Sequence, residues 1–278
     1  SGGSPTDPDD FEAVVALALR SSDETSAFVG CTGSLIHPEW VLTAAHCVEP
    51  EVLQAASWEG ESLAIVWGTD LTDVNDDLTE YDWVDVDKVI IHPEYHTDRW
   101  PLEDDIALVR LVSPQHGRPV VALNDMPLDS WVGSEFLVVG YGRDEDGNHT
   151  GRKRSTYHQV LDIEERLVTL DSEGTTGQCK GDSGGPGFLR VAAGHVAATI
   201  TSHGSQLTDE GCFDANHDTR IDFYLDWIDD YVPYYETDPQ APLDGCGCTL
   251  TGGLGTTWVF LMAPPLWCRR RRCQGNGS

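Results

Sequence analysis

Residues 177–186 read Gly-Gln-Cys-Lys-Gly-Asp-Ser-Gly-Gly-Pro and place a serine, Ser183, within a run of glycines. Glycine accepts backbone conformations that a Cβ would block, so this run predicts a tight turn that exposes the serine hydroxyl. The main-chain N–H groups of Gly181 and Ser183 are then expected to point at one oxygen and to stabilise its negative charge. Each donor of such an oxyanion hole contributes about 3–4 kcal/mol.

A serine hydroxyl is a weak nucleophile unless a base accepts its proton and a further group orients that base. Residues 42–47, Leu-Thr-Ala-Ala-His-Cys, supply a histidine, His46. Residues 103–109 supply two neighbouring carboxylates, Asp104 and Asp105, at the start of an apolar run. Each feature alone is more often structural, but together they supply the nucleophile, base and orienting carboxylate that such chemistry needs.

Three motifs carry a family resemblance: TAAHC at 43–47, DDIAL at 104–108 and GDSGGP at 181–186. With them, residues 1–232 resemble the chymotrypsin-like, or trypsin-like, serine endopeptidases. The resemblance implies an all-β domain of two six-stranded antiparallel β-barrels with a short C-terminal helix. It also implies that Ser183 is the nucleophile, that His46 is its base and that Asp105 orients His46. Asp105 is preferred to Asp104 because the family's aspartate directly precedes Ile-Ala-Leu.

The hydrophobic pattern alone predicts many short strands separated by turn residues, as in an all-β barrel or sandwich. Residues 11–19 are compatible with a strand or a short helix, and the resemblance favours the strand. A helical spacing of apolar residues begins near residue 219 and runs to residue 228. The further predicted strands are 29–36, 40–44, 63–67, 84–91, 106–112, 135–142 and 160–163, with one or two more in 191–201.

The resemblance also predicts where substrate specificity is decided. It assigns the pocket floor to Gly177 and one wall to Ser202, His203 and Gly204. Trypsin-like members carry an aspartate at the floor, so the usual salt bridge to a substrate Arg or Lys is missing here. Two readings stay open: a preference for neutral or small apolar side chains, or a basic preference restored by Asp214 or Asn216 near Cys212.

Activation in the family uses a new N-terminal ammonium, which pairs with the aspartate before the catalytic serine. Asp182 matches that aspartate, and Gly2 and Gly3 match the glycines that follow the family's isoleucine. The isoleucine position would lie just before Ser1. Either the sequence starts one residue late or activation proceeds in a different way.

Of the eight cysteines, four lie in the domain and four near the C-terminus. The spacings of the first four do not match paired zinc ligands. The resemblance implies the disulfides Cys31–Cys47 and Cys179–Cys212, and therefore an oxidising compartment. It implies no required cofactor and no catalytic metal.

The chain has 17 basic and 47 acidic residues, a formal charge of −30. Nucleic-acid binding requires a basic surface, so we expect a protein or peptide substrate instead. The acidic loop 70–82 corresponds to a calcium-binding loop of the family, but its ligand positions do not align cleanly. A solvated acidic loop is therefore favoured, and a structural calcium site is the alternative.

The composition changes after residue 232. A polar linker, 233–245, precedes Cys246 and Cys248, about nineteen uncharged residues at 249–267, and the basic run Arg269, Arg270, Arg271 and Arg272. This order resembles the MYXO-CTERM sorting tail of myxobacterial surface proteins. It implies export, membrane contact through residues 246–278, and trimming by a sorting protease. The alternative is a core strand followed by a basic tip.

Taken together, the residues predict an exported, surface-sorted serine endopeptidase that works through an acyl-enzyme. Two alternatives belong to other functional classes. One is a non-catalytic protease homologue that binds or adheres, and the other is a serine esterase with the same triad.

Overall fold

A computed structural model describes residues 4–5, 11–23, 25–58, 61–72, 78–98, 100–143, 151–171, 177–192, 194–204, 212 and 215–233. Within these residues the chain is built mainly from antiparallel strands. A two-residue strand, β1 (Ser4–Pro5), comes first. The predicted linker, the sorting tail and the N-terminal Ser1–Gly3 lie outside the described residues, apart from Pro233.

The first barrel closes in the order β2-β3-β4-β7-β6-β5. Val, Ile and Leu dominate these strands, and such side chains favour extended backbone and fill the barrel interior. Val14, Leu35, Ile65 and Leu108 are completely buried there. The strands are β2 (Val14–Ser21), β3 (Ala27–His37), β4 (Trp40–Thr43), β5 (Glu61–Trp67), β6 (Asp82–Ile91) and β7 (Ala107–Leu111).

The second barrel has the same number of strands and closes because β8 pairs with both β9 and β11. Strand β1 adds to β9 outside this ring. Phe136, Val168 and Leu170 lie in its core. The strands are β8 (Glu135–Gly140), β9 (Arg154–Ile163), β10 (Leu167–Asp171), β11 (Pro186–Val191), β12 (Gly194–Gly204) and β13 (Ala215–Arg220).

Two short α-helices, α1 (Pro50–Trp58) and α2 (Leu225–Tyr231), accompany the strands, with 3₁₀ turns at Ala45–Cys47 and Leu78–Glu80. The two-barrel prediction is confirmed, and so is the strand in residues 11–19, which begins at Val14. The predicted start of the C-terminal helix was wrong. Thr219 and Arg220 belong to β13 because their backbones pair with β10 and β12, and the helix starts only at Leu225.

Two disulfides cross-link segments around the barrels. Cys31 of β3 is bonded to Cys47, directly after His46, with their Cα atoms 6.1 Å apart. Cys179, in the segment before Ser183, is bonded to Cys212. Both predicted pairings are therefore present. Neither described α-helix has the length and apolar character that crossing a bilayer requires.

Candidate active site

The first barrel supplies a hydrogen-bonded histidine and aspartate. His46 lies in the 3₁₀ turn that follows β4, and Asp105 lies just before β7, which pairs with β4. The imidazole Nδ1 is 2.7 Å from Asp105 Oδ2, and the His46 backbone N–H donates to Asp105 Oδ1 at 2.9 Å. Because two bonds hold one carboxylate, the plane of the imidazole is fixed and Nε2 is left to act on a substrate.

The charges of this pair stabilise each other. Burial works against the charged imidazolium, but the Asp105 carboxylate outweighs it, so the pKa of His46 is raised. Burial also opposes ionisation of Asp105, but the charge and hydrogen bonds of His46, together with the Ser202 hydroxyl, lower its pKa. The pair is therefore built to accept a proton on His46 while Asp105 stays ionised.

The second barrel supplies Ser183 on the turn that leads into β11. The turn needs glycine, because Gly184 has a φ of +81° and an added Cβ there would overlap the Thr43 hydroxyl and the Thr32 carbonyl. The Thr32 backbone N–H donates to the Ser183 carbonyl at 2.8 Å, which fastens this turn to β3 of the first barrel.

The sulfur of Cys47 lies between the two halves of the site. It is 3.8 Å from His46 Nε2 and 3.6 Å from the carbonyl oxygen of Ser183. His46 Nε2 and the Ser183 main chain therefore lie around the same sulfur atom. Among the described residues no hydrogen bond joins the Ser183 hydroxyl to His46, and such bonds commonly tighten only when substrate is bound.

Two backbone N–H groups beside Ser183 are available to a ligand. Around the turn, the amides of Asp182, Gly184 and Gly185 all donate to carbonyl oxygens. The amides of Gly181 and Ser183 pair with no acceptor in the described part of the chain. Gly181 has a φ of +102°, a conformation that favours glycine. Both N–H groups therefore remain available for a ligand, and their role as an oxyanion hole stays a prediction.

Asp182 holds this turn in place from behind. Its Oδ1 accepts the Gly142 N–H at 2.7 Å, and its Oδ2 accepts the Cys179 N–H at 2.8 Å. A Cβ at Gly140 or Gly142 would overlap the carboxylate, so both glycines make room for it. Burial raises the pKa of Asp182, although the two backbone bonds oppose that rise.

Ser202 and His203 extend the hydrogen bonding behind Asp105. The Ser202 hydroxyl donates to Asp105 Oδ2 at 2.5 Å, and His203 Nδ1 lies 3.0 Å from the same hydroxyl. The His203 ring also contacts Trp100 and His217, at centroid distances of 4.7 and 5.1 Å. Burial, and then His217, lower the pKa of His203 to about 4, so it is neutral near pH 7.

The alternative aspartate, Asp104, is engaged elsewhere. Its carboxylate pairs with Arg166 and accepts the Tyr224 hydroxyl at 2.9 Å. Asp104 is buried, with a φ of +58°, and it turns its side chain towards the C-terminal helix region and away from His46. The choice of Asp105 as the partner of His46 therefore agrees with the geometry.

A family model described as Trypsin matches residues 1–228. The chain belongs to the trypsin family. It is 30% identical to a mouse tryptase over 78% of this chain and 83% of the relative. It is 28% identical to phenoloxidase-activating factor 3 of Holotrichia diomphalia, over 82% and 70%, and 24% identical to a bovine chymotrypsin-like elastase, over 83% and 88%. Proteases of the trypsin family generally need no cofactor and act on proteins or peptides.

The positions that decide specificity in the trypsin family lie around β12 and β13. Gly204 ends β12 and pairs with Asn216 of β13, whereas Gly177 lies beside the disulfide, its carbonyl 3.5 Å from the Cys179 sulfur. Asp214 lies outside the described residues. A residue that the sequence analysis missed is Asp218, a fully buried carboxylate on β13. Its polar strand, Ala215–Arg220, had no hydrophobic signal by which to recognise it.

No metal centre emerges from the described residues. Cys31, His46 and Cys47 bring potential ligand atoms together, but the two sulfurs form a disulfide and so cannot coordinate as thiolates. In the loop predicted to bind calcium, Asp70 pairs with Arg152 at 2.5 Å and Asp82 pairs with Arg118. Residues 73–77 of that loop lie outside the described residues, so the choice between a solvated loop and a calcium site is not tested.

Proposed function

We propose that this protein is a serine endopeptidase that uses Ser183 as nucleophile, His46 as general base and acid, and Asp105 as the group that orients His46. The observation that supports this most directly is the hydrogen-bonded His46–Asp105 pair beside a serine turn with two unpaired amides. Membership of the trypsin family agrees with it. A protein that only binds would not need a buried carboxylate to raise the basicity of His46.

In the proposed reaction, the Ser183 oxygen attacks the scissile carbonyl while its proton passes to His46 Nε2. The resulting oxyanion accepts hydrogen bonds from the Gly181 and Ser183 amides, and Asp105 stabilises the imidazolium. His46 then protonates the leaving amine, and the acyl group stays on Ser183. A water molecule, deprotonated by His46, attacks the acyl-enzyme and releases the acid product, which regenerates the free serine.

The test is covalent labelling followed by profiling on a peptide library. The protein, with its N-terminus processed, is treated with a fluorophosphonate, and the labelled residue is found by mass spectrometry. We expect labelling at Ser183 and peptide cleavage, both lost in Ser183→Ala and both kept in Ser130→Ala, which changes an exposed serine elsewhere. Labelling without peptide cleavage supports an esterase, and no labelling supports a binding-only homologue.

We further propose that the protein is exported and sorted to the cell surface through residues 246–278. The two disulfides support an oxidising destination. The order of Cys246, Cys248, an apolar segment and an arginine run supports a processed membrane anchor. Intact-mass analysis of protein recovered from the native host is expected to show loss of the tail near these cysteines. A full-length, soluble product would contradict the proposal.

A further inference from the structure

Two histidines face each other across strands β12 and β13. His203 and His217 are register partners in this antiparallel pair. Directly opposite residues of such a pair project to the same side of the sheet, with Cβ atoms about 4.5–5.5 Å apart. The two imidazole rings accordingly lie close together, with their centroids 5.1 Å apart and their planes inclined by 31°. We refer to these two residues as the histidine pair.

Each ring of the histidine pair is held through its Nδ1 atom. His203 Nδ1 is 3.0 Å from the Ser202 hydroxyl, and His217 Nδ1 is 3.1 Å from the hydroxyl of Thr169 on β10. Ser202 gives its one hydrogen to Asp105, so His203 Nδ1 must donate to Ser202 and Nε2 keeps a lone pair. Histidines that bind metal ions are typically oriented by a hydrogen bond at the other ring nitrogen.

The Nε2 atoms of the histidine pair are available to a ligand. His203 is 6% exposed, and its Nε2 is buried without a partner among the described residues. Buried polar atoms are nearly always paired in proteins, so this lone pair points to a missing ligand. His217 is partly exposed and forms its side-chain hydrogen bond in the described structure through Nδ1. A ligand can therefore approach the pair from the His217 side.

The chemistry of the histidine pair favours a divalent transition metal such as Zn²⁺, for which imidazole nitrogen is a preferred ligand. Zn–N bonds of about 2.0–2.1 Å at a tetrahedral angle place two ring centroids roughly 5 Å apart, which agrees with the observed distance. Two carboxylates also act on the pair, Glu164 on His217 and Asp105 on His203. These carboxylates attract a cation and repel an anion.

We propose that His203 and His217 bind one Zn²⁺, or a similar transition-metal ion, through their Nε2 atoms. Structural and catalytic zinc centres have three or four protein ligands. The histidine pair offers two, so it suits an ion that binds reversibly and keeps water at its other positions. Trp100 lies over His203 with the ring centroids 4.7 Å apart, yet it is 66% exposed. An exposed indole can turn aside without opening the core, which leaves the pair accessible.

A bound ion is expected to slow the proposed hydrolysis. Hydrogen bonds run from His203 through Ser202 and Asp105 to His46. In the proposed reaction His46 becomes positively charged while Ser183 attacks, and a cation at the other end of this chain opposes that charge. This consequence rests on the proposed function, whereas zinc binding itself does not. The histidine pair would thus make turnover sensitive to free zinc.

Zinc binding is tested on the full-length, EDTA-treated protein by long-range proton–nitrogen NMR near pH 7. We expect zinc chloride to shift the Nε2 signals of both His203 and His217, and His217→Gln to abolish the shift at His203. Glutamine keeps an amide for the Thr169 hydroxyl, so the strand pairing is retained. His116→Gln, at an exposed histidine, should leave both shifts unchanged.

The NMR signals report each ring separately, so zinc held by the cysteines near the C-terminus does not interfere. An unshifted His203 Nε2, or a shift at His203 that persists in His217→Gln, overturns the inference.

The rate of fluorophosphonate labelling at Ser183 tests the effect of the ion on the site. Zinc is expected to slow labelling of the wild type about tenfold, and EDTA to restore the rate. Magnesium, which prefers oxygen ligands, should have no effect. His217→Gln should label at the wild-type rate with or without zinc, which also shows that this variant is folded.

The outcomes separate the zinc inference from the peptidase proposal. Equal labelling rates with and without zinc in the wild type, or slowing that persists in His217→Gln, overturn the inhibitory role of the histidine pair. Absence of labelling at Ser183 in zinc-free protein overturns the peptidase proposal and leaves the NMR test of zinc binding intact.

Discussion

His203 illustrates how a single proton position follows from geometry. The Ser202 hydroxyl has one hydrogen, and the 2.5 Å contact with Asp105 shows that it is donated to the carboxylate. The Ser202 oxygen can then only accept from His203, so Nδ1 of that ring must carry the proton. Nε2, which has no partner among the described residues, is left with a lone pair. His203 thereby fixes the direction in which Ser202 points.

Nitrogen NMR can read this proton directly. Long-range proton–nitrogen spectra near pH 7 are expected to show His203 protonated at Nδ1 and unprotonated at Nε2. Because its pKa is about 4, the signals should not titrate above about pH 5. The exposed His116 provides a reference signal in the same spectra. An Nε2-protonated His203 would show that Ser202 is oriented by something else.

In the proposed reaction, the pH dependence of turnover belongs to His46. The proposed base must be neutral to accept the Ser183 proton, so the rate is expected to rise with pH through the pKa of His46. Since Asp105 raises that pKa, the acid-side midpoint of kcat is expected above about 6.5. The profile is best measured on a peptide with Ala before the cut bond. His116→Gln should leave the midpoint in place, and a midpoint below 6 would contradict the assignment.

At the scale of elements, the Ser183 turn depends on the absence of a Cβ at Gly184. Gly184 and Gly133 have nearly the same φ, +81° and +85°. An added Cβ at Gly133 meets no atom within 4 Å, whereas one at Gly184 would overlap two first-barrel residues. An alanine at Gly133 would therefore cause backbone strain alone, whereas an alanine at Gly184 would cause backbone strain and steric overlap.

We expect Gly133→Ala to lower the free energy of unfolding by about 1–2 kcal/mol, from backbone strain alone. Gly184→Ala should cost several kcal/mol more and abolish labelling of Ser183, because the turn must move away from Thr32 and Thr43. Denaturant unfolding and fluorophosphonate labelling of both variants check this. An equal loss in the free energy of unfolding for Gly133→Ala and Gly184→Ala would mean that the Ser183 turn can move to accommodate the added Cβ.

The sequence predicted those elements whose signal is local. The TAAHC, DDIAL and GDSGGP motifs located His46, Asp105 and Ser183, and runs of β-branched residues located most strands. Helix α1 was not predicted because its short segment lacks a clear apolar face. Strand β13 was mistaken in part for helix because its residues, Ala215–Arg220, are mostly polar and owe their extended form to pairing with β10 and β12.

Asp218 shows why some buried polar residues escape a reading of the sequence. The family resemblance drew attention to Asp214 and Asn216, next to Cys212. Asp218 lies two residues beyond Asn216 on β13, and its burial became apparent only when the register placed it opposite Thr201. Cross-strand register depends on the whole sheet, so no local pattern reports it.

At the scale of the whole molecule, one buried lysine makes the free energy of unfolding depend on pH. Lys153 is 3% exposed, donates to the Phe11 carbonyl at 3.0 Å and lies over the Tyr141 ring. Burial lowers its pKa to about 8, whereas a lysine in the unfolded chain titrates near 10.4. Between these values the unfolded chain binds more protons than the folded one, so stability from this group rises with pH.

We therefore expect the free energy of unfolding to gain up to about 1.4 kcal/mol per pH unit from Lys153 between about pH 8 and 9.5. Lys153→Met should remove this gain. Lys88→Met, at an exposed lysine, should not. Denaturant titrations across the interval measure the free energy of unfolding of each variant. If this free energy changes with pH equally in wild type and Lys153→Met, the pKa of Lys153 is not lowered in the folded state.

The division of the site between two barrels has a consequence during synthesis. His46 and Asp105 belong to the first barrel, whereas Ser183 and Ser202 belong to the second. A nascent polypeptide that has folded only its first half on the ribosome holds a base without a nucleophile. If the proposed function holds, hydrolysis can begin only after the second barrel has folded beside the first.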